Sequence, residues 1–216
     1  MNRLIFEKER KIAMKMNLPN KLTVLRLLLV PVFVVVMMVA DAPWASITGL
    51  CLFVLASFTD MLDGKIARKH NLVTDFGKFM DPLADKFMVL GAMLVILYRS
   101  LTRDAVNGLF CAVFFWAVLI VIFRELAVTS IRLVVSGSSG IVIAANMLGK
   151  IKTCTQIACV VACIGEPLVY QNVKGLAHMM EVLPLSLITT GLMILFTLWS
   201  GIHYIASYWK YLDPEK

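Results

Sequence analysis

Six apolar stretches take up most of this chain, at residues 22–40, 46–64, 75–98, 108–133, 145–164 and 184–207. Each is close to the roughly 20 residues that an α-helix needs to cross a bilayer. Inside hydrocarbon, every backbone N–H and C=O must be satisfied within the protein, and a helix does this without help from its neighbours. The pattern predicts an all-α, polytopic membrane protein with six transmembrane helices. Of the 216 residues, 60% are hydrophobic, against about 45–50% in soluble domains. Six spans leave no room for a soluble domain. The expected organisation is an N-terminal segment over 1–21, a membrane domain over 22–209 and a tail over 210–216.

The charges set an orientation. Residues 1–21 hold six Lys and Arg, residues 65–78 four, residues 132–152 three and residues 210–216 two. These fifteen fall on one side of the predicted bundle, whereas the other side has Arg99, Arg103 and Lys174. The richer side is cytoplasmic by the positive-inside rule, which places both termini there. The net charge of +7 therefore reads as topology and attraction to anionic lipid. No nucleic-acid-binding motif is present. Leu4, Ile5, Ile12 and Met16 fit one side of a short interfacial helix, with Arg3, Lys8, Lys11 and Lys15 reaching headgroups. The first 16 residues lack the apolar core and cleavage site of a secretory leader. The five cysteines lie in apolar stretches and read as helix-packing residues, with no disulfide framework.

Turn signals fall at Asp41-Ala42-Pro43, His70-Asn71 and Ser136-Gly137-Ser138-Ser139-Gly140. Gly165-Glu166-Pro167 is expected to end the fifth span. Asn20 is a candidate cap for the first.

Four aspartates break the apolar pattern: Asp60 and Asp63 near the end of the second stretch, and Asp81 and Asp85 early in the third. Residues three or four apart share a helix face, so each pair points one way. A short loop between the two helices lets both pairs face one point. Carboxylates in a membrane helix need a partner or a function, and four together repel unless cations lie between them. Oxygen-only ligands suit hard ions such as Mg2+ or Mn2+. Two such ions can neutralise a phosphate and stabilise its attacking and leaving oxygens. Gly64 and Gly77 let a bulky ligand approach the backbone, Ala67 is small, and Arg68 suits a phosphate. Ordinary ion pairs with Lys65, Arg68, Lys78 and Lys86 explain this arrangement less well.

The stretch Asp60-x2-Asp63-Gly64-x2-Ala67-Arg68-x8-Gly77-x3-Asp81-x3-Asp85 resembles the signature of the CDP-alcohol phosphotransferase family, with every fixed position present. The resemblance implies a six-helix bundle with a cytoplasm-facing polar cavity, a homodimer, and an active site on the cytoplasmic side of a bacterial inner membrane. It implies metal ligation by Asp60, Asp63, Asp81 and Asp85, with Asp85 also the general base. It implies CDP binding by Asp60, Asp63, Gly64, Ala67, Arg68 and Gly77. The reaction is then a single in-line displacement that moves a phosphatidyl group from CDP-diacylglycerol to an alcohol and releases CMP.

Other segments bear on the alcohol. Arg124 and Arg132 lie two turns apart on one helix face, and Lys150 and Lys152 open the next span. Together they form a candidate basic pocket for a phosphorylated acceptor, and Glu125, deep in a span, needs one of them as partner. Asn20, Thr23 and Arg26 are candidates to line the same cavity. The segments 17–26, 123–132 and 149–156 resemble bacterial members of the family that use glycerol 3-phosphate, which is the expected acceptor. Inositol phosphate, serine and phosphatidylglycerol define sister enzymes. A metal-ion transporter would use the same aspartates but has no need of Gly64, Ala67 and Arg68.

Overall fold

The computed structural model describes residues 17–39, 42–69, 74–102, 108–139, 147–173 and 175–209; side chains at 61–69, 75, 78, 136–139 and 177 lie outside that description. The described residues are helical and contain no strand. The long helices are α1 (Leu18–Val39), α2 (Pro43–Lys69), α3 (Asp75–Thr102), α4 (Gly108–Ser139), α5 (Met147–Asn172) and α6 (Pro184–Tyr208). A 3-10 turn over Ala177–Glu181 precedes α6.

Five segments are long and apolar enough to cross a membrane: Leu18–Val39, Pro43–Asp60, Gly108–Val135, Met147–Asn172 and His178–Tyr208. The chain is an integral membrane protein. Helix α3 has 28 residues, ample length to span, but its first turns carry Asp75, Lys78, Asp81, Asp85 and Lys86. Outward faces are apolar, with Leu28, Val35, Trp116, Phe123 and Ile202 exposed, as lipid-facing helices require.

Helix α1 packs against α2 and α3, and α6 packs against α4 and α5; contacts of α5 with α2, and of α3 with α4 and α5, join the two groups. Phe33, Phe53, Met93, Phe114, Val121, Val160 and Met193 fill the centre. The α1–α2 approach is close at Gly49, where a Cβ would sit 2.4 Å from Met37 Sδ. Small residues let membrane helices pack at such range. At the end of this layer away from the aspartates, Arg99 donates to Ser46 Oγ at 2.9 Å, tying the end of α3 to the start of α2.

Three local expectations are corrected. The cap of α1 is Asn17, whose Oδ1 accepts from the Asn20 backbone N–H at 3.2 Å; Asn20 lies inside the helix and its side chain turns elsewhere. Helix α4 continues through Ser136-Gly137-Ser138 to Ser139, since Gly and Ser lower helix propensity by about 1 kcal/mol or less and forbid nothing. Helix α5 runs through Pro167 to Asn172. Proline costs a helix one hydrogen bond and a clash, but Glu166 anchors the chain there. Its buried carboxylate accepts from Leu185 N at 2.9 Å, Ser186 N at 2.7 Å and Ser186 Oγ at 2.5 Å. Tyr170 Oη, one turn on, donates to it at 2.8 Å. Leu183, at the N-cap of α6, makes no side-chain cap bond, so α5 supplies the negative charge that the N-terminus of α6 favours.

Candidate active site

Asn20, Thr23 and Arg26 recur every three residues along α1, and all three are buried. This polar stripe faces α2 and α3 and meets the aspartates one by one. Arg26, 1% exposed, donates from Nη1 to Asp60 Oδ1 at 2.5 Å. Thr23 Oγ1 lies 2.6 Å from Asp81 Oδ1 and 3.1 Å from the Pro19 carbonyl. A hydroxyl has one proton to donate, and the shorter, charged acceptor is the stronger. Asn20 exchanges hydrogen bonds with Thr74 Oγ1 at 2.9 and 3.0 Å. Thr74 in turn accepts from Gly77 N at 3.0 Å, capping α3. A Cβ at Gly77 would lie 2.9 Å from Asn20 Oδ1, so Gly77 admits α1 as well as any ligand.

Asp60, Asp81 and Asp85 converge. Asp60 lies within electrostatic reach of Asp81 and Arg26, and Asp85 within reach of Asp60, Arg26, Lys152 and Glu125. Asp81 is exposed, while Asp60 and Asp85 are partly buried. Asp63, Gly64, Ala67 and Arg68 belong to the last turns of α2, and their side chains lie outside the described residues. The Arg26 guanidinium lies on Asp60, and the oxygen-only donor set of Asp60, Asp81 and Asp85 is of the kind that suits a hard divalent cation. Among the described residues, no three His, Cys, Asp or Glu side chains gather tightly enough to ring one ion.

The expected acceptor cations fall into two groups. Arg124 and Lys152 both engage Glu125, which is buried in α4: Arg124 Nη1 at 3.2 Å, and Lys152 Nζ in a short contact from α5. Arg124 also donates from Nη2 to Ser200 Oγ of α6 at 3.2 Å. Glu125 therefore has the basic partners that its depth demanded, and together with Arg124 it links α4 to α5 and α6. Arg132 and Lys150 are exposed, and the Arg132 guanidinium stands 6.0 Å from the Tyr204 ring centroid, within cation–π range.

Lys86 was missing from the sequence-derived site. It donates to Thr129 Oγ1 of α4 and lies within electrostatic reach of Glu125, Lys152, Arg132 and Asp85. A lysine in a membrane helix with no acid one turn away was the signal available.

A family model described as CDP-alcohol phosphatidyltransferase matches residues 16–205. A Bacillus subtilis (strain 168) protein named CDP-diacylglycerol–glycerol-3-phosphate 3-phosphatidyltransferase is 40% identical over 210 residues, covering 92% of this chain and 98% of the relative. Proteins of that name from Rickettsia felis and Salmonella typhimurium are 34% identical over 163 residues and 30% identical over 201. These alignments cover 74% and 90% of this chain, and 83% and 96% of the relatives.

Proposed function

The chain belongs to the CDP-alcohol phosphatidyltransferase family, and we propose that it transfers the phosphatidyl group of CDP-diacylglycerol to glycerol 3-phosphate, giving phosphatidylglycerol phosphate and CMP. The relatives that share most of its length carry the name of this reaction. The observation that carries the reading is the position of Asp85. It lies within electrostatic reach of both the Asp60 carboxylate and the Lys152–Glu125 pair. A base near both acidic and basic groups suits the joining of a diphosphate to a phosphorylated alcohol.

In this reading Asp60, Asp63, Asp81 and Asp85 hold two divalent cations, Mg2+ or Mn2+. Such ions, when bound, supply neutralisation of the diphosphate charge. Thr23 orients the Asp81 carboxylate and Arg26 that of Asp60. Gly64, Ala67, Arg68 and Gly77, with Asp60 and Asp63, receive the CDP moiety. Arg124, Arg132, Lys150 and Lys152 form the acceptor side, where the Glu125 clamp holds Arg124 and Lys152 in place. Asp85 takes the proton of the acceptor hydroxyl, within hydrogen-bond reach in the productive complex. The acceptor oxygen forms a bond to the phosphorus that bears diacylglycerol. The bond from that phosphorus to the CMP oxygen breaks in line, and the electron pair leaves with CMP.

The full arrangement we propose is a six-span homodimer in the bacterial cytoplasmic membrane. Its polar cavity and both termini face the cytoplasm. The charge asymmetry supports that orientation, and the length of α3 supports a sixth span.

CMP release by the purified protein in detergent tests the reading, with CDP-diacylglycerol, Mg2+ or Mn2+, and one acceptor at a time. Release with glycerol 3-phosphate, abolished by EDTA, is the expected result. Release with only serine, inositol phosphate or phosphatidylglycerol would overturn the acceptor and keep the chemistry. Metal transport without CMP release would overturn both.

A further inference from the structure

We infer that Lys86 determines acceptor specificity, receiving the phosphate of the alcohol while Asp85, its neighbour in the chain, receives the hydroxyl proton. The inference rests on the reaction proposed above and adds a residue to its acceptor side.

Successive residues on a helix point about 100° apart. On α3, this turns Asp85 to the carboxylate cluster and Lys86 to α4. There the lysine meets Thr129, whose own hydroxyl proton goes to the Glu125 carbonyl at 2.6 Å. The Thr129 oxygen is thereby left to accept, and it accepts from Lys86 Nζ. Among the described residues the ammonium is bonded by a hydroxyl and by no carboxylate.

The charge around it is unbalanced. Lys152 and Arg132 lie within electrostatic reach of Lys86, together with Glu125 and Asp85. Glu125 already bonds Lys152 and Arg124, and Asp85 faces Asp60 as well. What remains around Lys86 is a cationic surplus in a part-buried setting, which an incoming dianion would balance. An ammonium has three protons, and among the described residues Thr129 takes one of them. The remaining donors suit phosphate oxygens. A small phosphorylated alcohol held at its phosphate by Lys86 and Arg132 has its hydroxyl end directed to Asp85 by residues adjacent on one helix. An acceptor without a phosphate gains nothing from this lysine.

The test uses the full-length purified protein in detergent and the variants Lys86→Gln, Lys86→Arg and Thr129→Val. KM is measured separately for glycerol 3-phosphate and for CDP-diacylglycerol, and CMP release is compared with glycerol in place of glycerol 3-phosphate. Lys86→Gln is expected to raise the KM for glycerol 3-phosphate about tenfold or more, the scale of a lost charge-assisted hydrogen bond. The KM for CDP-diacylglycerol stays within about twofold, by the same scale. The preference for glycerol 3-phosphate over glycerol falls in proportion, Lys86→Arg recovers most of it, and Thr129→Val loses part of it. A loss in kcat alone, or equal rises in both KM values, would overturn the inference and leave Lys86 a neighbour that supports Asp85 or the fold. If Lys86→Gln does not fold, Thr129→Val decides: an unchanged KM for glycerol 3-phosphate overturns the inference. Wild-type protein that ignores glycerol 3-phosphate but turns over another acceptor would refute the proposed reaction itself. A silent Lys86→Gln in an enzyme that does use glycerol 3-phosphate would refute only the role of Lys86.

Discussion

Thr23 of α1 and Asp81 of α3 are joined by a 2.6 Å hydrogen bond across 58 positions of sequence. The donor is a short, stiff side chain on a buried face, so the carboxylate it holds has little freedom. Its other carboxylate oxygen lies beside the gap left by Gly77, 3.8 Å from where a Cβ there would be. One oxygen is thus held by α1, and the other lies on the side of Gly77.

Thr23→Val keeps the shape and removes the donor. The Mg2+ concentration needed for half-maximal CMP release is expected to rise about tenfold or more, the usual effect of losing a partner that orients a metal-binding carboxylate. The shift of melting temperature with added Mg2+ is expected to weaken in parallel. Thr23→Ser restores both. An unchanged metal requirement would show that Asp81 needs no orienting bond.

Asp85→Asn keeps the volume and removes the base. Turnover is expected to fall by about 10²-fold or more, with the melting temperature of the detergent-solubilised protein close to wild type. Near-normal CMP release would remove Asp85 as base.

Arg132→Ala removes an exposed cation whose described partner is the Tyr204 ring. The KM for glycerol 3-phosphate is expected to rise several-fold and that for CDP-diacylglycerol to stay near its wild-type value. Equal effects on both would detach Arg132 from the acceptor side.

Glu125→Ala leaves Lys152 and Arg124 without their shared carboxylate. Breaking a buried ion pair costs about 3–5 kcal/mol, so a large fall in melting temperature is expected. Glu125→Gln retains an acceptor oxygen and is expected to lose less. A melting temperature unmoved by either substitution would show that the clamp is replaceable.

Glu166→Ala removes the carboxylate that caps α6 from α5, leaving the Ser186 N–H and hydroxyl buried without it. A loss of about 2–3 kcal/mol in stability is expected, read as a lower melting temperature. The KM values for both substrates are expected to be unaltered in the folded fraction. A change in either KM would place this joint in the catalytic machinery.

Much of this was legible locally. Apolar runs long enough to cross a membrane specify helices because a bilayer leaves the backbone few alternatives, so α1 to α6 sit close to where hydropathy put them. The convergence of Asp81 and Asp85 with Asp60 follows in part from a 3.6-residue period, which puts Asp81 and Asp85 on one helix face; the side chain of Asp63 lies outside the described residues. The need of Glu125 for a basic partner followed from its depth in a span. The errors were local as well. Asn20 looks like a cap because caps are recognised by residue type, yet Asn17 stands at the boundary and Thr74 competes for the Asn20 side chain. Pro167 looks like an ending because proline lacks a donor, yet the bonds from Glu166 and Tyr170 carry the helix past it.

From residue order alone came a bundle of membrane helices, a carboxylate cluster at a helix–loop–helix, and a nearby surplus of Lys and Arg. Those depend on helical period, length and burial cost, which act within a few turns of chain. Tertiary structure decided which side chains meet: Arg26 with Asp60, Thr23 with Asp81, Lys152 with Glu125, and Lys86 with Thr129. Each pair joins different helices, and its existence depends on how one helix slides and rotates against another. A slide of one residue, about 1.5 Å along the axis with about 100° of rotation, would turn every such partner away. That register is set by the summed packing of many side chains, and no single stretch of sequence contains it.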